Sequence, residues 1–148
     1  MLRHGFELEL LRQEALKPGL GFEQAVRGSV SLQAVGFSAE KARKIISEFG
    51  NGLAVAGKGA QELDGVILAL TQIQSKGVVS AEEINQIAER LPQIRTLMQA
   101  AFGTASSEAI QKLGISSTQF IEGITSQLEK LPRAAGGIKN SLENFFDA

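Results

Sequence analysis

At 148 residues the chain has about one domain's worth of length, enough to bury roughly two-thirds of its unfolded surface, and its 43% hydrophobic content argues against intrinsic disorder. Fifteen Lys and Arg against sixteen Asp and Glu leave a net charge of −1, which supplies no field for gripping a phosphate backbone and argues against nucleic acid as a partner. Cysteine is absent, so disulfides, thiolate metal sites and cysteine nucleophiles are excluded together.

Phe6, Leu10 and Leu11 belong to an apolar stripe that predicts a first helix over residues 2–16. No charged segment leads into an apolar core there, so no signal peptide is expected. Lys17-Pro18-Gly19-Leu20-Gly21 ends the helix, because proline disfavours helical geometry in the residue before it and glycine frees the turn. Phe22, Ala25, Val26 and Val30 then recur at helical spacing to about Ala34 and form the expected inward face. Gly36 stops that helix and Ser38 caps the next, whose buried face is Ala42, Ile45, Ile46, Phe49 and Leu53. Asn51-Gly52 and Gly57-Lys58-Gly59 are expected to weaken or break helix there, making residues 50–60 a candidate sub-boundary.

Leu63, Val66, Ile67, Leu70 and Ile73 give the cleanest amphipathic stripe in the chain. Val66 to Leu70 is also the longest apolar run, far short of the ~20 residues a membrane span needs. After Gly77, Ser80 with Glu83 reads as a capping box. The serine oxygen would accept from the Glu83 backbone N–H and the glutamate from the Ser80 N–H, with Val79 and Ile84 as a hydrophobic staple. Ile84, Ile87, Ala88 and Leu91 line the helix behind it. Pro92 suits the first position of a new turn, where its missing N–H costs nothing, and Ile94, Leu97, Met98, Ala101 and Phe102 follow until Gly103. A short helix from about Ser106 to Leu113 ends at Gly114. Ser116 with Gln119 is a second capping box, ahead of Phe120, Ile121, Ile124, Leu128 and Leu131. Pro132, Gly136 and Gly137 loosen the chain before a last helix carrying Ile138, Leu142, Phe145 and Phe146. No window alternates with period two. The expected fold is all-α: a compact domain over residues 1–148 of about six to eight short amphipathic helices joined by short Gly/Ser/Pro turns.

Gly36-Phe37-Ser38, Gly77-Val78-Val79-Ser80 and Gly114-Ile115-Ser116 each join a stop glycine to a cap serine through an apolar residue. Their unequal spacing points to shared boundary chemistry rather than a solenoid. Gly28, Gly65 and Gly123 interrupt otherwise good helices, each at a cost of about 1 kcal/mol against alanine. Two readings stand for them, close approach between helices or hinges in a chain built to rearrange.

The residues carry little sign of chemistry. Gly52 to Lys58 matches the first seven positions of a phosphate-binding loop, but Gly59 stands where a hydroxyl must hold magnesium, and a helix precedes it where a strand is needed. His4 is the only histidine and has no metal-ligating or nucleophilic company. Glu62 with Asp64, and Glu82 with Glu83, are neighbours in sequence that point to different helix faces, as solvated charge does. No catalytic, cofactor-binding or metal-ligating residue is assigned, and no cofactor is expected. Tryptophan and tyrosine, the usual anchors of small tight interfaces, are both missing, so broad packing is expected instead.

The segment LALTQIQSKGVVSAEEINQIAERLPQIRTLMQAAF, from Leu68 to Phe102, closely resembles tail tape measure proteins of long-tailed bacteriophages and their prophages. The similarity runs from about Lys17 to the end, and its most specific pieces are Leu70 to Pro92 and the restart from Leu113 to Ser116. The resemblance implies a non-enzymatic virion protein of the tail lumen, assembled in the host cytoplasm, which sets tail length and scaffolds the tube. The implied partners are the tail tube protein, tail assembly chaperones and tail tip proteins, and homo-oligomerisation is compatible with them. The family has no shared catalytic residues to carry over. Its members are usually far longer, so the chain is expected to be one region of a longer protein. Two other classes compete. A helical adaptor would show an exposed patch built from Phe6, Phe145 and Phe146, and a cell-wall hydrolase fragment would show muralytic activity.

Overall fold

The computed structural model describes residues 8–10 and 21–134. The first expected helix lies outside them apart from residues 8–10, which are helical, and the last expected helix lies outside them entirely. Seven further helices are described: α1 (Phe22–Ala34), α2 (Ala39–Val55), α3 (Ala60–Lys76), α4 (Ala81–Arg90), α5 (Ile94–Phe102), α6 (Ser107–Lys112) and α7 (Ser117–Glu129). There is no strand among the described residues.

Local chemistry sets most of these boundaries. Ser38, Ser106 and Ser116 accept from the backbone N–H three residues on, at 3.1, 3.2 and 3.1 Å. At Ser116 the Gln119 side chain reciprocates at 2.9 Å, completing the capping box. Gly77 and Gly103 end α3 and α5 in the left-handed region, which a side chain would resist, and their N–H groups close on Ile73 and Gln99 at 2.9 Å.

α3 lies at the centre and touches α1, α2, α4 and α7. Its predicted stripe, Leu63, Val66, Ile67, Leu70 and Ile73, is buried throughout, as is the predicted face of α2. Each large side chain among them contributes about 1.5–3 kcal/mol through burial, and Ala42 less. α1 runs parallel to α3: Gly21 lies beside Ala60, and Arg27 donates to Asp64 at 2.8 Å. α4 folds back antiparallel, so that Lys76 meets Glu83 at one end and Arg90 meets Glu62 at the other. α7 runs alongside α2, from Lys41 beside Glu122 to Gly52 beside Leu128.

Three local expectations are corrected. α1 buries only Ala25 of the predicted face: Phe22 and Val30 are 46% and 62% exposed and Val26 is half-buried, whereas Gly28, Ser29 and Leu32 join Ala25 inside. Small residues take the closest part of the crossing because α1 packs against both α2 and α3. A Cβ at Gly28 would lie 3.3 Å from Ile46 Cδ1 and 3.6 Å from Ile67 Cγ1. The second correction concerns Asn51-Gly52, which do not break α2; both are buried and helical, and the helix ends only after Val55. The third is Ser80, which makes no cap bond to a backbone N–H; its hydroxyl donates to the Glu83 carboxylate instead.

The interior glycines mark close approaches. The Arg90 side chain occupies the space where Gly65 would carry a side chain. A Cβ at Gly123 would lie 2.6 Å from Cζ of Phe102, whose ring stacks on Phe120 at 5.6 Å.

Candidate functional site

Polar groups inside an apolar bundle must find partners or destabilise it, and two groups of them stand out. The first lies on α2, which is buried without interruption from Ile45 to Leu53 although Ser47, Glu48 and Asn51 are among those residues. Asn51 Nδ2 donates to the Pro132 carbonyl at 3.2 Å, and its Oδ1 accepts from the Ala134 N–H at 2.9 Å. Between those anchors Arg133 donates to Glu48 Oε1 at 2.7 Å. Glu48 Oε2 is buried with no hydrogen-bond partner. One turn of α2 therefore clasps the chain that leaves α7.

The second group sits at the α3–α4 junction. The Glu83 side chain is 1% exposed, and its carboxylate accepts from the Lys76 ammonium and the Ser80 hydroxyl. Burial alone would raise the Glu83 pKa. The hydrogen bonds from Lys76, Ser80 and its own backbone N–H, with the lysine charge, outweigh that and hold it below the usual carboxylate range. The same hydrogen bond raises the Lys76 pKa. Gln111 on α6 donates to the Val79 carbonyl at 2.7 Å and fixes the loop that carries Ser80.

A surface groove of about 260 Å³ runs between α2 and α7, lined by Lys41, Lys44, Ile45, Glu122, Thr125 and Ser126. Its lysines are already paired, Lys41 with Glu122 at 2.6 Å and Lys44 with Glu129. The Glu129 hydrogen bond is the main cause of the raised Lys44 pKa.

The structure also places the residues weighed from sequence. Gly52 to Val55 are helical, so the phosphate-loop-like run forms no cradle of free N–H groups. Glu62 lies 3.8 Å from Arg90 and Asp64 is bonded to Arg27, so the two carboxylates are held by different helices. Glu82 is exposed while its neighbour Glu83 is buried. His4, and the Phe6, Phe145 and Phe146 of the adaptor reading, lie outside the described residues. Among the described residues no three metal-ligating side chains converge, and no helix is long and apolar enough to cross a membrane. Sequence reasoning missed Glu48 and Asn51. The signal for them was two polar residues one turn apart, beside an apolar stripe that continues past both.

What these groups do is hold chain to chain. Such an arrangement suits a structural protein, and comparison with known proteins bears on which one. The family model for tape measure protein matches residues 8–148. The chain belongs to the tape measure protein family. No curated protein and no solved structure matches it. Membership makes this a structural component of phage tails, a virion protein that works in contact with other tail proteins. In this tape measure chain the buried polar residues join elements far apart in sequence, Glu48 to Arg133 and Asn51 to Ala134.

Proposed function

We propose that this region is a single folded helical module of the tape measure, contributing to tail-length setting and to scaffolding of the tail tube. Its partners in this reading are the tail tube protein, the tail assembly chaperones and the tail tip proteins, and its places are the host cytoplasm during assembly and then the tail lumen. The family match carries the reading. The helix lengths support the word module: the longest described helices have 17 residues, about 25 Å each. A single straight helix of 148 residues would span about 220 Å, whereas a compact domain of that size has a radius of gyration near 15 Å. A folded module therefore adds little length to a ruler.

The test is an in-frame deletion of residues 21–134 in the parent phage, with tail lengths measured by negative-stain electron microscopy. As a continuous helical ruler that stretch would account for about 170 Å. Tails shortened by much less than this, or a failure of tube assembly, are expected of a folded module. Intact tails shorter by the full amount would overturn the folded-module part of the reading and make the stretch an extended ruler.

A further inference from the structure

The clasp on α2 has a property the rest of the bundle lacks. The segment it holds belongs to no helix or strand and contributes little apolar burial: Pro132 and Arg133 are exposed, and only Ala134 is buried. What fastens it is polar. Glu48 and Asn51 stand three residues apart on α2 and so face the same side. Asn51 offers a donor and an acceptor together, to the Pro132 carbonyl and the Ala134 N–H. A neighbouring β-strand would offer the same pair of contacts, but here one amide side chain supplies both. Glu48 secures the residue between. The neighbouring α2–α7 contact is of another kind, with Leu128 lodged against Gly52 and with Phe120, Ile121 and Ile124 fully buried.

We propose that Glu48 and Asn51 form a latch for residues 132–134, and that this latch opens as a unit of its own while the helices stay packed. Two contrasts carry the inference. Opening the latch exposes little apolar surface, whereas separating α7 from α2 exposes a large one, so the first event costs less. The buried oxygen Glu48 Oε2 has no hydrogen-bond partner. Opening admits water to it, and the open state gains a hydrogen bond that the closed state leaves unmade. Tension applied from the C-terminal side reaches the latch before it reaches α7. The latch goes beyond the tail reading and does not depend on it.

Native-state hydrogen exchange on the full 148-residue chain tests it, read at the amides of Ala134, Leu128 and Leu70 across low urea concentrations. Ala134 is expected to be protected and to exchange through an opening with a much shallower urea dependence than that of Leu128 or Leu70. Asn51→Ala is expected to speed Ala134 exchange by at least about tenfold, the loss of two hydrogen bonds, with the shallow dependence kept. Should Asn51→Ala fail to fold, Arg133→Gln replaces an exposed side chain and carries the same expectation in smaller degree. An Ala134 amide that exchanges as in an unstructured peptide, or only through the opening shared with Leu70, overturns the proposal. So does an Ala134 rate indifferent to both substitutions.

Discussion

Gly52→Ala separates two accounts of the middle of this chain by the sign of its effect. At an unpacked position, alanine would stabilise by restricting the unfolded chain and by its better helix propensity, by up to about 1 kcal/mol. In the structure the new Cβ would lie 2.7 Å from Leu128 Cδ2 and 3.5 Å from Leu91 Cδ1. Both leucines are fully buried, so the methyl group in the way has nowhere to swing, and α2 and α7 must move apart. Overpacking of that kind costs about 1–3 kcal/mol. Because the neighbours are buried, the clash is expected to outweigh the gain in helix propensity, for a net loss of up to about 2 kcal/mol. The chain lacks tryptophan and tyrosine, so urea unfolding is best followed by far-ultraviolet circular dichroism. The midpoint should fall with the slope unchanged. In a Leu128→Ala background, which vacates the contested space, Gly52→Ala should become neutral or stabilising, a coupling that contacting residues show and distant ones do not. A midpoint that rises when Gly52→Ala is made alone would refute the packing argument.

Gly65→Ala and Gly123→Ala should diverge. The obstacle at Gly65 is the Arg90 side chain, which can turn outward, and stability should stay within about 1 kcal/mol. The obstacle at Gly123 is the Phe102 ring stacked on Phe120, and a loss of about 1 kcal/mol or more is expected; equal midpoints for the two variants would count against the distinction. Ser116→Ala removes a complete capping box and should cost about 1 kcal/mol in the same urea assay, with no loss meaning that the cap is idle. Glu83 has a lowered folded-state pKa, so its stabilisation is present above the unfolded glutamate value and is lost as pH falls through the folded one. Lys76→Met removes the main counterweight to burial, raises that folded pKa and should move acid unfolding to higher pH; an unchanged acid midpoint would show that the pair contributes nothing. For Lys76 the sign reverses: its stabilisation is in place below its ordinary value of 10.5 and fades as pH rises through its raised one, so stability should fall less steeply across that alkaline range in the same variant, which has no amine there to titrate.

Most boundaries of the described helices, and the all-helical class, were readable from the chain alone, because they rest on chemistry within a few residues. A serine three positions ahead of a free N–H can cap a helix with no help from distant residues, as Ser38, Ser106 and Ser116 do, and a glycine that accepts left-handed geometry ends one, as Gly77 and Gly103 do. The stripes of α2 and α3 were legible for a related reason, their large aliphatic residues leaving one plausible inward face. Family membership was legible too, in the run from Leu68 to Phe102.

Packing decided the rest. Periodicity assigned α1 Phe22, Val26 and Val30 along with Ala25, but a helix packed against both α2 and α3 turns Ala25, Gly28 and Ser29 inward with Leu32 as the one large side chain among them. Asn51 and Gly52 resemble a break when judged by propensity. They are held in helix by Leu128 and by the chain at Pro132 and Ala134, about eighty positions away. Ser80 had the right neighbour for a capping box and used it differently, because Lys76 and the α6 side chain Gln111 draw Glu83 and its loop into the core. Each of these outcomes depends on atoms brought close only by folding, and no local rule counts atoms that far off along the chain.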